Sequence, residues 1–290
     1  MRKVRVLVCL VFLASCIIFG AYTVKTRLVE DNTPPKITCE SDEIAVSVKA
    51  EDAEILKGVS AKDNRDGDIS KSVTISSMSH FISKGKRTVT YIVFDEANQA
   101  GTAQRTLTYT DYTSPRIHLL KPLRFTNKQI ADTNFLENMT AEDCLDGDLS
   151  KQIRTTLSDS FYSEEAGEYE MTIQVSNSAG DVCRVPVTMQ IVNGADREEN
   201  QKSYPMLSEY IVYTKLNVPL DLNAYLTGVV KGGNEYTFAE DAEYMDVGVE
   251  DISVTSNVDY TKAGVYTAEF TCSAEEQPTA VTKLVVVVEE

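Results

Sequence analysis

Tryptophan is absent from this 290-residue chain, and histidine occurs only at His80 and His118. So little imidazole leaves the commonest general base two places to reside, at non-equivalent positions of separate units. No Gly-x-Ser-x-Gly elbow or glycine-rich phosphate loop accompanies either one. Both histidines read as solvent or strand-face residues, and the chain is not expected to be an enzyme. Carboxylates are abundant, but in an acidic chain their abundance singles out no glycosidase pair. Bases are scarce, 28 Lys and Arg against 44 Asp and Glu, for a formal charge of -16. Nucleic-acid binding needs clustered bases that replace phosphate counterions, so this balance excludes a nucleic-acid partner. None of the six cysteines shows CxxC or Cys/His zinc spacing.

The bases that exist are unevenly placed. Arg2, Lys3, Arg5 and Lys25 lie in the first 25 residues with no acid, which leaves 24 bases and all 44 acids, a net -20, to residues 26–290. Val6 to Val24 is a run of nineteen uncharged residues, VLVCLVFLASCIIFGAYTV. At about 1.5 Å per residue it matches the roughly 30 Å core of a bilayer. Residues 1–25 therefore read as a single-pass signal-anchor helix, with the N-terminus cytoplasmic and the acidic remainder extracellular. Two alternatives stay open. Phe19-Gly20-Ala21 offers a small-residue site for a cleaved secretory signal, giving a secreted protein. Leu13-Ala14-Ser15-Cys16 has the form of a lipobox, in which Cys16 is lipidated, although Ile17-Ile18-Phe19 prolongs the apolar run. All three deliver the chain to the outside of a membrane.

Beyond residue 25 the chain repeats. Gly58 to Val73, GVSAKDNRDGDISKSV, and Asn138 to Ile153, NMTAEDCLDGDLSKQI, share seven of sixteen residues at an offset of 80. Asp31 to Ile37 and Asp111 to Ile117 keep the same offset, and the Gly85 strand matches the Gly167 strand two residues later. A third, divergent unit shows Gly264-Val265-Tyr266 and a closing strand at Lys283 to Val288, but lacks the Asp-Gly-Asp segment. The expected domains are 34–112, 113–194 and 204–290, with the polar stretch GADREENQKS as a linker before the third. The apolar period is two: Val89, Tyr91 and Val93 alternate with Thr88, Thr90 and Ile92, and Val185, Val187, Met189 and Ile191 alternate with Arg184, Pro186, Thr188 and Gln190. Several short strands in roughly 80 residues define an all-β chain of tandem β-sandwiches after a transmembrane helix.

Both complete units resemble the bacterial immunoglobulin-like domains of pesticidal crystal proteins and many Gram-positive surface proteins, which are similar to hyalin repeats. Pro35-Lys36-Ile37-Thr38, Ala61 to Ile69, Gly85 to Asn98, Ala141 to Leu149 and Gly167 to Asp181 carry the resemblance. It implies an extracellular module for spacing, adhesion or ligand binding, with no shared catalytic site. In such a sandwich Asp63, Asp66, Asp68, Asp95, Glu96 and Asp31 converge at one end of the first unit, and Asp143, Asp146, Asp148, Asn177, Asp181 and Asp111 are their counterparts. Clustered carboxylates suit Ca²⁺, which would stiffen a tandem array; equally, Asp and Gly are ordinary turn formers, and both readings stay open. Cys144 and Cys183 replace Asn64 and Gly101 on two loops expected to meet, and are candidates for a disulfide.

The function expected is that of a membrane-anchored extracellular protein acting as spacer, adhesin or envelope-assembly component, with its third unit at the far end of an end-to-end stack holding a protein or glycan partner. The alternative is a carbohydrate-binding module in the third unit, where Tyr204, Tyr210, Tyr213, Tyr225, Tyr236, Tyr244, Tyr260 and Tyr266 concentrate.

Overall fold

A computed structural model describes every residue except 1, 30, 131–133, 158–164, 242, 244 and 245. After one apolar helix, α1 (Arg2–Val29), the described residues fold into β-strands, as the period of two predicts, joined by one short helix at Asp52–Ile55 and brief 3-10 turns. It forms two compact units, Met1–Tyr112 and Thr113–Glu290.

The first unit holds a sandwich of seven strands: β1 (Lys36–Cys39), β2 (Glu43–Val46), β3 (Val59–Asp63), β4 (Gly67–Asp68), β5 (Thr74–Ser83), β6 (Lys86–Phe94) and β7 (Ala100–Tyr109). One sheet has the order β1-β3-β4 and the other β2-β7-β6-β5. All pairings are antiparallel except β2 with β7. Val89, Tyr91 and Val93 of β6 point into the core, together with Ile37, Ala61 and Leu107. Arg105 is buried there as well, its guanidinium donating to Tyr91 Oη (3.1 and 2.8 Å) and to the carbonyls of Ile55 (2.5 Å) and Lys57 (3.1 Å).

The second unit holds two further sandwiches with the same plan. One comprises β8 (Arg116–Leu119), β9 (Arg124–Thr126), β10 (Met139–Asp143), β11 (Gly147–Asp148), β12 (Arg154–Leu157), β13 (Gly167–Ser176) and β14 (Val182–Val192). The other comprises β15 (Ser203–Leu207), β16 (Ile211–Lys215), β17 (Leu226–Lys231), β18 (Asn234–Thr237), β19 (Ile252–Ser256), β20 (Gly264–Cys272) and β21 (Ala280–Glu289). Their sheet orders are β11-β10-β8 with β12-β13-β14-β9, and β15-β17-β18 with β16-β21-β20-β19. The third module thus keeps the strand order of the others although it lost the Asp-Gly-Asp motif.

These two modules are not stacked end to end. They lie side by side and share one hydrophobic cluster, in which Leu119, Leu123 and Val187 of the second meet Tyr210, Ile211 and Val285 of the third. Contacts run the length of β21. Arg124 donates to the Val281 carbonyl (3.1 Å), Lys283 pairs with Glu168 (2.7 Å), and Glu289 pairs with Arg116 (2.6 Å). Tyr213 Oη accepts from the Ile117 amide (2.8 Å) and donates to its carbonyl (3.0 Å). Strand β21 is therefore buried on both faces, and such strands read as continuous apolar runs without alternation. That is why Leu284 to Val288 is unbroken.

The polar stretch before the third module is folded. Glu199 accepts from Tyr204 Oη (2.5 Å) and Lys202 Nζ (2.7 Å), and Asn200 donates to the Asp196 carbonyl (2.9 Å).

Candidate functional site

The acidic loops of the first module are built from local turns. Gly67 sits at φ +75°, a backbone that L side chains rarely adopt, in the turn from β3 to β4. Asp63 ends β3 and folds its carboxylate over that turn, where Oδ2 accepts from the amides of Arg65 (2.6 Å) and Asp66 (3.0 Å). Those amides hold its carboxyl below the usual range, against the opposing effect of desolvation. Asp95 follows β6 and accepts at Oδ1 from the Gln99 amide (2.7 Å). Gln99 in turn donates from Nε2 to the carbonyl of Asp31 (2.7 Å), which ties the lead segment to the same end of the sandwich.

The outcome is a convergence of three carboxylates. One oxygen each from Asp31, Asp63 and Asp95 lies within 4.8 Å of the other two. Asp63 and Asp95 are buried, at 9% and 6% exposure, and Asp31 is half-buried as a residue with its side chain 8% exposed. Among the described residues, Asp63 Oδ1 and Asp95 Oδ2 meet no hydrogen-bond donor. Arg65 approaches from outside, its Nε 3.9 Å from Asp31 Oδ2.

Other predicted acids do not join. Asp66 accepts from the Glu96 amide (2.7 Å) and staples the two loops together. Asp68 turns back to Ser70, accepting from its Oγ (2.5 Å) and amide (3.0 Å), and the hydroxyl and amide lower its pKa in that order. Asp111 is held within the first unit by Ser47 Oγ (2.7 Å) and the Val48 amide (2.8 Å).

The second module repeats the turns with one change that bears on its buried carboxylate. Asp143 Oδ1 accepts from the amides of Leu145 (2.9 Å) and Asp146 (3.0 Å), Asp146 accepts from Ser178, and Asp148 accepts from Ser150. At the position of Asp95 stands Asn177. Its Nδ2 donates to Asp143 Oδ2 (3.1 Å), and its Oδ1 accepts from the Asp181 amide (2.9 Å). An amide thus satisfies the carboxylate oxygen whose counterpart in the first module is left without a donor.

The disulfide expected between Cys144 and Cys183 is not formed; all six cysteines are free thiols. Cys144 Sγ donates to the Thr113 carbonyl (3.1 Å), whereas Cys183 Sγ lies 3.8 Å from Tyr213 Oη, drawn toward the third module. Burial pushes the Cys183 thiol pKa up. Cys16 is exposed on α1. His118 stands on β8 with Nε2 3.5 Å from Glu142, and His80 is exposed on β5.

Several third-module tyrosines are engaged in packing. Tyr204 is buried beneath the Arg124 guanidinium, 3.3 Å from its ring centroid, and Tyr210 Oη accepts from the Leu207 amide (3.2 Å). Tyr213 bridges to Ile117 as described, and burial raises the pKa of all three phenols. Tyr225, Tyr236, Tyr260 and Tyr266 are half-buried, and Tyr244 lies outside the described residues. Arg124, which sequence reasoning passed over, is the polar bolt of the joint: burial pushes its pKa down to about 10, and Gln190 Oε1 accepts from its Nε (2.8 Å).

No family model matches the chain. An uncharacterised 81.3 kDa protein of Acholeplasma phage L2 is 30% identical over 93 residues, which cover 32% of this chain and 11% of that protein. Among solved structures, the CBM51-2 and INT domains of Clostridium perfringens ZmpB, in complex with GlcNAc, are 20% identical over 52% of this chain and 26% of that one, with a TM-score of 0.22. Drosophila N-cadherin EC1-4 is 10% identical over 90% and 76%, with a TM-score of 0.21. The lipoprotein BT2262 of Bacteroides thetaiotaomicron is 14% identical over 87% and 98%, with a TM-score of 0.20. At these TM-scores the likenesses add nothing to the β-sandwich architecture that the strand pairings establish.

Proposed function

We propose that the chain is a membrane-anchored surface protein whose tandem immunoglobulin-like modules act as a spacer bearing an adhesive or envelope-assembling end. The observation that carries this reading is the helix Val4–Lys25, 22 residues of mean hydropathy 2.5, joined to β-sandwich modules of one repeated plan. Its large apolar side chains, among them Leu7, Phe12 and Ile18, are exposed all round. A helix apolar on every face calls for an apolar solvent, and its length suits a bilayer. Arg2 and Lys3 ahead of the span, with Arg5 in its first turn, support a cytoplasmic N-terminus. No residue is assigned a catalytic role.

The reading places partner binding on the joined second and third modules, as one body. A carbohydrate-binding role for the third module alone has less support, because Tyr204, Tyr210 and Tyr213 are committed to packing. Protease added to intact cells should remove residues 26–290 and leave the helix with the membrane fraction. Full protection of those residues on intact cells, with digestion only after lysis, would overturn the proposal.

A further inference from the structure

We propose that the first module binds one hard divalent cation of the calcium class through Asp31, Asp63 and Asp95, and that the second module has exchanged this ion for the side-chain amide of Asn177. A buried carboxylate oxygen without a donor is costly, because water has been removed and nothing replaces it. Here two such oxygens, Asp63 Oδ1 and Asp95 Oδ2, occur together in a cluster with a third buried carboxylate.

Formal charge points to a divalent ion: three carboxylates less the Arg65 guanidinium leave two negative charges, the complement of a divalent cation.

Donor type sets the class of ion. The donors are all oxygen, which suits a hard cation rather than zinc or copper. Oxygens on opposite sides of Ca²⁺ stand about 5 Å apart, given bonds of about 2.3–2.6 Å, whereas Mg²⁺ draws them to about 4 Å. Separations within 4.8 Å therefore admit Ca²⁺ as they are. A cleft lined by Asp31, Asn32, Arg65, Asp66, Glu96 and Gln99 opens beside the Asp31 edge of the cluster.

The second module is a control within the same chain. Its Asp143 sits on the same turn and is as buried as Asp63, at 7% and 9% exposure. Where Asp95 would stand, Asn177 supplies an N–H to the oxygen in question. Asp111, the counterpart of Asp31, is held by Ser47 and Val48 instead. One carboxylate is replaced and another is engaged elsewhere, so the ion's donors are lost together.

The test uses the full-length chain in detergent micelles, stripped with a chelator and titrated with CaCl₂ by calorimetry. The wild type should show one saturable site per chain, and MgCl₂ should bind at least tenfold more weakly. Asp95→Asn installs the second module's solution and should fold, while its Ca²⁺ affinity falls at least 100-fold. Hydrogen exchange supplies a second readout: Ca²⁺ should slow the amides of Arg65, Asp66 and Gln99 and leave Leu145 and Asp146 unchanged. Absence of saturable binding in the wild type, undiminished binding in Asp95→Asn, equal affinity for Mg²⁺, or protection centred on the second module would each overturn the proposal.

Discussion

One difference between the acidic loops of the first two modules is the side-chain amide of Asn177, which stands where the first module has Asp95. Asn177 Nδ2 stands 3.1 Å from Asp143 Oδ2. Asn177→Asp removes the donor and sets two buried carboxylates against each other, with Asp111 committed elsewhere. The substitution should cost at least about 2 kcal/mol in a urea melt of the chain. A variant as stable as the wild type would mean that the Asn177 donor does not matter. The exposed acids act at lower pH. Asp68 and Asp148 have depressed native pKa values, each set first by a serine hydroxyl and then by its amide, while the unfolded value is near 3.8. Their contribution is complete above the unfolded value and is lost as pH falls through the depressed native ones. Melting temperature should therefore hold down to about pH 5 and decline below about pH 4, and Asp68→Asn should lessen that decline. Much of this was legible in the repeat, since an offset of 80 aligns Asp63 with Asp143 and Asp68 with Asp148. The division of labour was not legible. Asp66 and Asp68 look as good as Asp31 in a list of acids, and only the fold shows that nearby amides and hydroxyls engage them.

Strand β21 shows the same limit at the level of an element. Its existence was plain from Leu284 to Val288, and the alternation of β6 and β14 correctly marked Val89, Tyr91, Val93, Val185, Val187, Met189 and Ile191 as inward. An unbroken apolar strand is also the sign of two covered faces, and that inference gives the side-by-side joint. The partner face was harder to find, because it mixes polar with apolar residues: Arg124, Gln190, Glu168 and Thr188 stand beside Leu119, Leu123 and Val187. The two faces of β21 can be separated by mutation. Val286→Asp places a charge inside the third sandwich and should destabilise it by more than about 4 kcal/mol. Val285→Asp places it in the joint, and should leave each sandwich folded while their melting splits into two transitions. Identical effects of the two substitutions in a calorimetric scan would refute the assignment of faces. The misplaced disulfide has a related cause. Gly101, which aligns with Cys183, has the Pro35 carbonyl oxygen 2.1 Å from where its Cβ would lie. The aligned positions therefore have different neighbours, and Cys183 faces Tyr213 of the third module.

For the whole molecule, three similar repeats suggest three equal beads, yet the shared core joins the second and third. Calorimetry of the intact chain should show two main transitions, one for Met1–Tyr112 and one for Thr113–Glu290. Ca²⁺ at 100 times its dissociation constant should raise only the first, by about 2.7 kcal/mol at saturation of the native state alone. Three independent transitions, or a calcium shift in the larger unit, would contradict this account. Deleting residues 204–290 is for the same reason a poor probe of partner binding, because it strips the cover from the second module.

The parallel strand pair that closes every module has a mechanical consequence. In each sandwich an early strand runs alongside the last one: β2 with β7 over four residue pairs, β9 with β14 over three, and β16 with β21 over five. If the two ends of a module are pulled apart, those strands slide past each other, and their ladder bonds are loaded together instead of being unzipped singly. Yield under tension follows the unfolding rate rather than the equilibrium stability. Modules of ordinary stability can then bear a load applied between their own two ends. The five-pair clamp on β21 is the longest of the three, and it sits in the strand that also fastens the third module to the second.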